Sequence, residues 1–256
     1  MVAGRRLLVP VTAGRRDLAV RLADAGALVD EAEFISVIDS SEQEALAVAT
    51  LAWCDGQFDW LAVTSRNAVL AMAKIAQQHG RELADGLSRG RVATVGEATR
   101  AVCAKAGLVV SLVPSARQDA LGIVREFPEG PGSVLVPLGD LASPVLARGL
   151  ARKGWDVVQV EAYRVVDGPG VGPETATALA GGQFDAVLLT SGSVAERYAQ
   201  VAAPAGSGTL VVAIGATTAA AARAAGLSVD ATSTVPSYDG ILAALESLWA
   251  AEQEDA

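Results

Sequence analysis

The sequence carries an internal repeat, and this repeat limits the possible folds more than any other feature. The first repeated block reads Phe-Asp-Trp-Leu-Ala-Val-Thr-Ser and returns as Phe-Asp-Ala-Val-Leu-Leu-Thr-Ser. Three blocks return in the same order: 58–65 as 184–191, 95–99 as 214–218, and 8–10 as 135–137. The loops between the blocks differ in length while the order is kept. This pattern indicates a duplicated α/β unit, and we expect a ligand to bind between the two copies.

Length and composition are consistent with two domains of ordinary size. The chain has 256 residues, of which 51% are hydrophobic and 19% charged, so it can bury a sizeable core. No apolar run approaches the roughly 20 residues that a membrane span needs. Residues 1–6 lead directly into a strand-like run at 7–11, with no cleavage site after it. We therefore expect a cytoplasmic protein that does not bind a membrane.

Charge and rare residue types argue against several classes of function. A net charge of −9 and an isoelectric point near 4.7 disfavour a nucleic-acid partner, which would require a basic surface. We expect Cys54 and Cys103 to be buried, reduced thiols, and the single histidine, His79, to lie exposed at the end of a helix. The sequence contains no metal-ligand cluster, no dinucleotide motif and no phosphate loop. These absences predict an activity that needs neither metal nor cofactor.

Apolar runs of strand length alternate with alanine-rich runs of helical spacing. Buried parallel strands have this pattern because helices cover both faces of their sheet. Helices are predicted at 98–106 and 217–225, each followed by a glycine, Gly107 and Gly226, of the kind that ends helices. The predicted strands are 61–63, 92–95, 133–136, 186–189 and 210–214. The fold class is therefore α/β, with open parallel sheets.

A further pair of matching segments bears on the domain boundary. Residues 31–39 align with residues 159–167 without a gap, and both segments have the pattern of extended chain. If each segment carries the chain into the other domain, the two would form a ladder with hinge character. The repeat alone leaves a second possibility open, two sequential domains of residues 1–128 and 129–256.

Four turns between a strand and a helix could bind a ligand. Ligands of open α/β sheets bind at the carboxyl ends of the strands, where helix N-termini present free amide groups. Serine and threonine are also the preferred N-caps of any helix, so each turn alone has an ordinary structural explanation. The turns form two matched pairs and would suit carboxylates or phosphates. Their candidate residues are Ser65, Arg66, Asn67, Gly96, Thr99, Ser191, Gly192, Ser193, Gly215, Thr217 and Thr218.

Local arginines could let an acidic protein bind an anion, because salt screens distant carboxylates beyond about 8 Å. The alternative for each is a solvated position on a helix surface. The candidates are Arg15, Arg16, Arg66 and Arg100.

Together these segments resemble the uroporphyrinogen-III synthase family. The resemblance extends from about Leu8 to Leu245 and rests on the order and spacing of the motifs. The matching segments are 161–165, 64–69, 95–99, 189–194 and 214–219.

The resemblance implies two flavodoxin-like open parallel-sheet domains joined by a two-stranded β ladder. Residues 1–35 and 168–256 would form the first lobe, which is discontinuous in sequence. Residues 40–162 would form the inserted second lobe, with residues 36–39 and 163–167 as the linker strands.

The resemblance also implies the reaction. The family cyclises hydroxymethylbilane, a linear tetrapyrrole with many carboxylate groups, to uroporphyrinogen III, with loss of water and inversion of ring D. In water this substrate closes without inversion to the wrong isomer. We accordingly expect a monomeric, cofactor-free lyase of porphyrin biosynthesis that transiently contacts the preceding pathway enzyme.

The resemblance assigns roles to particular residues. Tyr163 matches the family's tyrosine that is proposed to assist departure of the hydroxyl, and a phenol can donate a hydrogen bond or a proton to a leaving oxygen. The positions that match the family's ligand-binding residues are Ser65, Thr99, Ser191, Thr217 and Thr218.

The sequence departs from the family pattern in two places. Relatives often carry an arginine soon after the first strand, where this chain has Ala13-Gly14 before Arg15 and Arg16. Many relatives also have an arginine in the segment equivalent to 139–144, which lacks one here. The competing interpretations are a non-catalytic two-lobed small-anion binding protein and a nucleotide-dependent transferase, although the latter lacks a phosphate loop.

Overall fold

Strands and helices alternate along the chain. The computed structural model describes residues 2–12, 16–201, 208–235 and 237–254. The strands are β1 (Arg6–Pro10), β2 (Leu28–Asp39), β3 (Trp60–Val63), β4 (Arg91–Thr94), β5 (Val110–Leu112), β6 (Ser133–Gly139), β7 (Asp156–Gly170), β8 (Ala186–Leu189), β9 (Leu210–Ala213) and β10 (Ala231–Thr232).

Helices connect most of the strands, and one 3₁₀ helix spans Leu83–Ser88. The α-helices are α1 (Asp17–Asp24), α2 (Gln43–Cys54), α3 (Arg66–Gln78), α4 (Glu97–Lys105), α5 (Ala120–Glu126), α6 (Val145–Arg152), α7 (Pro173–Ala180), α8 (Gly192–Val201), α9 (Ala216–Ala224) and α10 (Tyr238–Glu254). None of the helices in the described ranges is long and apolar enough to cross a membrane.

The chain forms two compact units. Unit 1 comprises Met1–Ser36 and Val166–Ala256, and unit 2 comprises Val37–Val165. Both boundaries fall inside long strands, β2 and β7, rather than near residue 128. Each unit therefore combines the first strand–helix–strand segment of one copy of the repeat with the later strands of the other copy.

The two units have parallel strands in equivalent orders. Written so that equivalent strands stand at the same place, the order is β2-β1-β8-β9-β10 in unit 1 and β7-β6-β3-β4-β5 in unit 2. Strand register is also equivalent, since Trp60 lies opposite Arg91 in unit 2 and Ala186 lies opposite Leu210 in unit 1. The predicted α/β class with a parallel sheet is confirmed.

Each sheet is covered on both faces, which explains the uninterrupted apolar runs. Along β3, Leu61 and Val63 belong to one buried cluster while Trp60 and Ala62 belong to the cluster on the opposite face. Because successive side chains of a strand point to opposite faces, all four are buried only when helices pack on both sides.

Helices α4 and α9 end at the glycines that the sequence indicated. Gly107 and Gly226 have φ values of +76° and +87°, a left-handed conformation that a side chain would strain. Both helices begin and end one residue earlier than predicted. Boundary shifts of this size are usual because the first and last turns have no intrahelical partners.

The repeated Phe-Asp pair at 58–59 and 184–185 stabilises the sheets. Asp59 in unit 2 accepts a hydrogen bond from the Ser133 N–H at 2.8 Å, and Asp185 in unit 1 accepts one from the Arg6 N–H at 2.7 Å. Each aspartate comes directly before a central strand and binds the first residue of the neighbouring strand. The repeated Phe-Asp pair therefore ties strands together at the amino-terminal edge of each sheet, opposite the edge at which open α/β sheets generally bind ligands.

Candidate functional site

The carboxyl edge of the unit 2 sheet brings one group of the predicted site residues together. Tyr163 lies on β7 opposite Gly139 at the end of β6, and the Ser65 and Gly96 turns follow β3 and β4. Because all these strands are parallel and adjacent, their carboxyl ends meet at one edge. The unit 2 candidates are Tyr163, Ser65, Arg66, Asn67, Gly96 and Thr99.

Tyr163 is half-buried, and its ring packs against the apolar cluster of unit 2. Among the described residues, its phenol oxygen has no hydrogen-bond partner. Tyr198 in unit 1 is different, since it is 1% exposed and burial raises its pKa to about 12. Tyr163 is therefore the more accessible proton donor of the two.

A β-bulge lies next to Tyr163. Leu138 pairs with Glu161 and Gly139 pairs with Tyr163, so Ala162 is an extra residue on β7. Bulges turn the following side chain and are common beside active sites.

In the turn after β3, Ser65 is the N-cap of α3. Its hydroxyl oxygen accepts a hydrogen bond from the Asn67 N–H at 3.1 Å. Ser65 therefore caps its helix, as serines in such turns ordinarily do, although its hydroxyl can still donate its own proton in a hydrogen bond. Arg66 and Asn67 are half-buried in the first turn of the helix.

Arg66 differs from the other candidate arginines. Arg16 pairs with Glu31, and Arg100 lies 3.1 Å from Glu97 on an exposed helix surface. Arg66 has no acidic partner among the described residues. A cation in the first turn of a helix is unfavourable because the N-terminal end of the helix dipole is also positive. Among the described residues, no acidic side chain offsets this unfavourable interaction of Arg66. Arg15 lies outside the described residues.

The turns after β4 and β9 have nearly the same geometry. Gly96 and Gly215 are fully extended N-caps, with φ and ψ of 179° and 179° in the first and 178° and 173° in the second. Thr99 and Thr218, three residues further on, are each 5% exposed. Glycine N-caps supply no side-chain oxygen to the first helical amides, which leaves these amides available to an anion.

The carboxyl edge of the unit 1 sheet carries the remaining candidates. Ser191 accepts a hydrogen bond from the Val194 N–H at 3.2 Å and therefore acts as a cap, as its counterpart Ser65 does. A Cβ atom on Gly192 would lie 3.3 Å from the Ala221 Cβ, so the glycine also allows α8 to approach α9 closely. The unit 1 candidates are Ser191, Gly192, Ser193, Gly215, Thr217 and Thr218.

Sequence reasoning missed several residues beside these turns. The Gln118 side chain lies over Gly96, where an added Cβ would come within 2.5 Å of its Oε1. Thr94, directly before that turn, is fully buried and its hydroxyl has no partner in the part of the chain that the structure describes. Gly139 and Asp140 contact Tyr163 and its neighbours. Thr94 could have been found from the sequence, as a polar residue at the end of an apolar strand. The contacts of Gln118, Gly139 and Asp140 could not, because they join residues that are far apart in sequence.

A carboxylate ties the end of β2 to β7 within unit 2. Glu161 accepts hydrogen bonds from the Ser40 hydroxyl and the Ser41 N–H, each at 2.8 Å. The Ser40 hydrogen bond, more than any other contact, lowers the pKa of Glu161. The pKa values of the two thiols shift upward instead. Burial raises the pKa of Cys54 and raises that of Cys103 to about 11.

Each unit is thus an open parallel-sheet α/β domain whose strand ends carry amide-rich and hydroxyl-rich turns. A family model described as uroporphyrinogen-III synthase HemD matches residues 16–243. The chain therefore belongs to the uroporphyrinogen-III synthase family, and the resemblance found in the sequence is confirmed.

Solved structures agree with this fold. A mutant uroporphyrinogen III synthase from the extremely thermophilic bacterium Thermus thermophilus is 17% identical with a TM-score of 0.67, covering 98% of this chain and 100% of that one. The wild-type protein in another crystal form is 19% identical with a TM-score of 0.53, covering 98% and 99%. The uroporphyrinogen-III synthetase of Helicobacter pylori is 16% identical with a TM-score of 0.62, covering 95% and 99%. No curated protein sequence matches the chain.

Proposed function

We propose that this chain is a uroporphyrinogen-III synthase, which cyclises hydroxymethylbilane with inversion of ring D and loss of water. The observation that carries this proposal is the family match over residues 16–243. The geometry supports it, because the candidate residues are a phenol, a guanidinium without an acidic partner among the described residues and several helix N-termini. These groups suit a substrate that has carboxylate side chains and a hydroxyl leaving group.

Tyr163 is the proposed catalytic acid. As the electrons of the terminal pyrrole expel the hydroxyl, its carbon–oxygen bond breaks, and the phenol donates a proton or hydrogen bond to the departing oxygen, which leaves as water. The substituted pyrrole carbon of ring D, at the opposite end of the chain, then attacks the cationic methylene carbon that the departing hydroxyl leaves behind and gives a spiro intermediate. The bond from that pyrrole carbon to its original methylene breaks, and the unsubstituted carbon of ring D bonds to the released methylene, which inverts ring D. Loss of a proton from carbon restores the aromatic ring.

Arg66 and the glycine turns are the proposed carboxylate-binding groups. A guanidinium binds a carboxylate in a bidentate manner, which fixes its direction as well as its position. The amides after Gly96 and Gly215 add directional donors without net charge. Each such anchor would hold one carboxylate of the flexible substrate in a fixed direction.

The main task of the catalyst is to select between two ring closures, since the substrate also closes spontaneously. Orientation alone can contribute several kcal/mol to one path over another. Exclusion of water would suppress escape of the reactive cation. Because orientation and exclusion of water select the product, the site needs few titratable groups.

We also propose that the two units are flavodoxin-like lobes joined by a two-stranded ladder. The lobes are assigned to residues 1–35 with 168–256 and to residues 40–162, and the linkers to 36–39 and 163–167. Close packing within each unit supports this assignment. In unit 1 a Cβ on Gly168 would lie 2.2 Å from the Glu33 carbonyl oxygen, and in unit 2 Glu161 binds the Ser40 hydroxyl.

The proposal includes the cellular setting. A cytoplasmic monomer that contacts the preceding enzyme transiently would receive its substrate before that substrate closes in water. Sedimentation of the purified chain alone would measure whether it is a monomer, and sedimentation of the mixture would measure its contact with the preceding enzyme.

The decisive experiment resolves the product isomers. The protein is mixed with freshly generated hydroxymethylbilane, the products are oxidised, and the type I and type III isomers are separated chromatographically. We expect mostly type III product with the protein and type I product without it. Only type I product in both reactions refutes the synthase proposal, and tight substrate binding in that case would favour an anion-binding protein.

A further inference from the structure

We infer that Gly139 and Asp140 are positioning residues for Tyr163. This inference rests on the proposed function, in which the Tyr163 phenol meets the leaving oxygen. Both residues lie at the end of β6, where the structure departs from regular pairing. Neither is expected to contact the substrate.

Gly139 makes room for the phenol. A Cβ at this position would lie 2.7 Å from Cζ of Tyr163 and 2.9 Å from its hydroxyl oxygen. Real Cβ atoms do not approach so closely, and the atoms in the way belong to the far end of a side chain. A larger residue would therefore move the phenol rather than the backbone.

Asp140 holds the backbone on both sides of Arg164, the residue that follows the tyrosine. Its N–H donates to the Tyr163 carbonyl at 3.1 Å, and its Oδ1 accepts from the Val165 N–H at 3.0 Å. Its Oδ2 lies 3.8 Å from Arg164 Nε, and the side chain is only 18% exposed. These contacts fix the chain directly after the bulge, where ladder pairing no longer does so.

The corresponding strands of unit 1 show what regular pairing looks like. From Arg6 to Pro10, β1 pairs with β2 one residue at a time without a shift. The repeat alignment places Ile35 at the position of Tyr163. The tyrosine therefore belongs to one copy of the repeat only, and unit 2 has the same regular pairing as unit 1 up to Pro137, directly before the shift at Leu138 and Gly139.

The test separates positioning from stability. Asp140→Ala removes the acceptor for the Val165 N–H, whereas Asp140→Asn retains an oxygen that can accept it. We expect Asp140→Ala to lower kcat about tenfold or more with KM changed less than about twofold, because small misplacements of reacting groups have effects of this size. Asp140→Asn should restore most of kcat. The matched control is Asp230→Ala in unit 1, which loses a 2.7 Å hydrogen bond to the Val211 N–H and should reduce stability but not kcat.

A second background tests whether Asp140 acts through the tyrosine. In a Tyr163→Phe enzyme, Asp140→Ala should lower kcat no further. Equal losses in both backgrounds, or a wild-type kcat in Asp140→Ala or in Tyr163→Phe, overturn the inference. If Asp140→Ala does not fold, Gly139→Ala provides the same test, with a loss of kcat expected only when Tyr163 is present. A wild-type chain that forms no type III isomer would instead refute the proposed function itself.

Discussion

The two units are alike at one edge of their sheets and different at the other. At the amino-terminal edge, Asp59 and Asp185 make the same hydrogen bond to the first residue of a neighbouring strand. At the carboxyl edge, one copy has Tyr163 where the other has Ile35. The comparison indicates that the duplication preserved a framework in both units, while the proposed phenol and arginine both lie in unit 2.

The turns follow the same division. The backbone of Gly96 is repeated at Gly215, including the buried threonine three residues later. Arg66, in contrast, is aligned with Gly192. Groups that present backbone amides are thus common to both copies, whereas the charged side chain and the phenol are not. The predictions below test this division, beginning with the largest expected effect.

Substitution of the phenol should have the largest effect. We expect Tyr163→Phe to lower turnover about 100-fold, at the low end for a general acid because a phenol is weakly acidic and positioning supplies much of the rate. The free energy of unfolding should change little, since the half-buried ring is retained. Steady-state formation of type III product measures turnover, and Tyr198→Phe is the matched control. Full activity in Tyr163→Phe would remove this residue from the mechanism and weaken the contrast between the copies.

Removal of the framework aspartates should affect stability in both copies. Asp185 also lies 2.6 Å from Arg5 Nη1, whereas Asp59 has Arg89 only at 3.8 Å. We expect Asp185→Ala to lower the free energy of unfolding by about 2.5 kcal/mol and Asp59→Ala by about 1.5 kcal/mol, within the range of about 1.5–3 kcal/mol for hydrogen bonds to charged groups. Urea denaturation measures both values. A loss of kcat in the folded variants, without loss of stability, would contradict the structural role.

The two arginines of unit 2 should differ in substrate affinity. Arg66→Ala is expected to raise KM about tenfold, which corresponds to one charge-assisted hydrogen bond. Arg100→Ala should leave KM unchanged, because this side chain already pairs with Glu97 on an exposed surface. Equal KM values for the two variants would show that the arginine in the first turn of α3 does not bind substrate.

The smallest effect is expected from the buried tyrosine of unit 1 and should depend on pH. Burial raises the pKa of Tyr198 to about 12 from its ordinary value of 10.0, so the folded state favours the protonated phenol. Its contribution to stability is present below pH 10 and is lost as the pH rises towards 12.

Tyr198→Phe should remove this alkaline loss. Near neutral pH the variant should match the wild type within about 1 kcal/mol, because the hydroxyl has no partner among the described residues. Above pH 10 the stability difference should grow in favour of the variant by up to about 1.4 kcal/mol per pH unit. Parallel denaturation curves with no pH-dependent difference would argue against this assignment of the pKa.

Much of the fold could be predicted because it depends on local pattern. The apolar runs identified β3, β4, β8 and β9 to within about one residue, since buried parallel strands form nearly continuous apolar runs. The left-handed Gly107 and Gly226 marked two helix ends for a similarly local reason. The length of β6 was not predicted, because its last residues are only partly buried and are held by β7.

The candidate site was less predictable. The sequence indicated the turns but not whether a serine in them binds a ligand or caps its helix. The structure shows that Ser65 and Ser191 are caps and that Arg100 is paired. Each of these outcomes depends on side-chain geometry that composition and spacing do not determine.

The sequence by itself determined the alternation of strands and helices, the duplication and the family, because all three are properties of residue order along the chain. Only the tertiary structure decided that β6 and β7 pair with a bulge that sets Gly139 and Asp140 against Tyr163. These residues are far apart in sequence, so their pairing is decided by the packing of a whole sheet and not by any local preference.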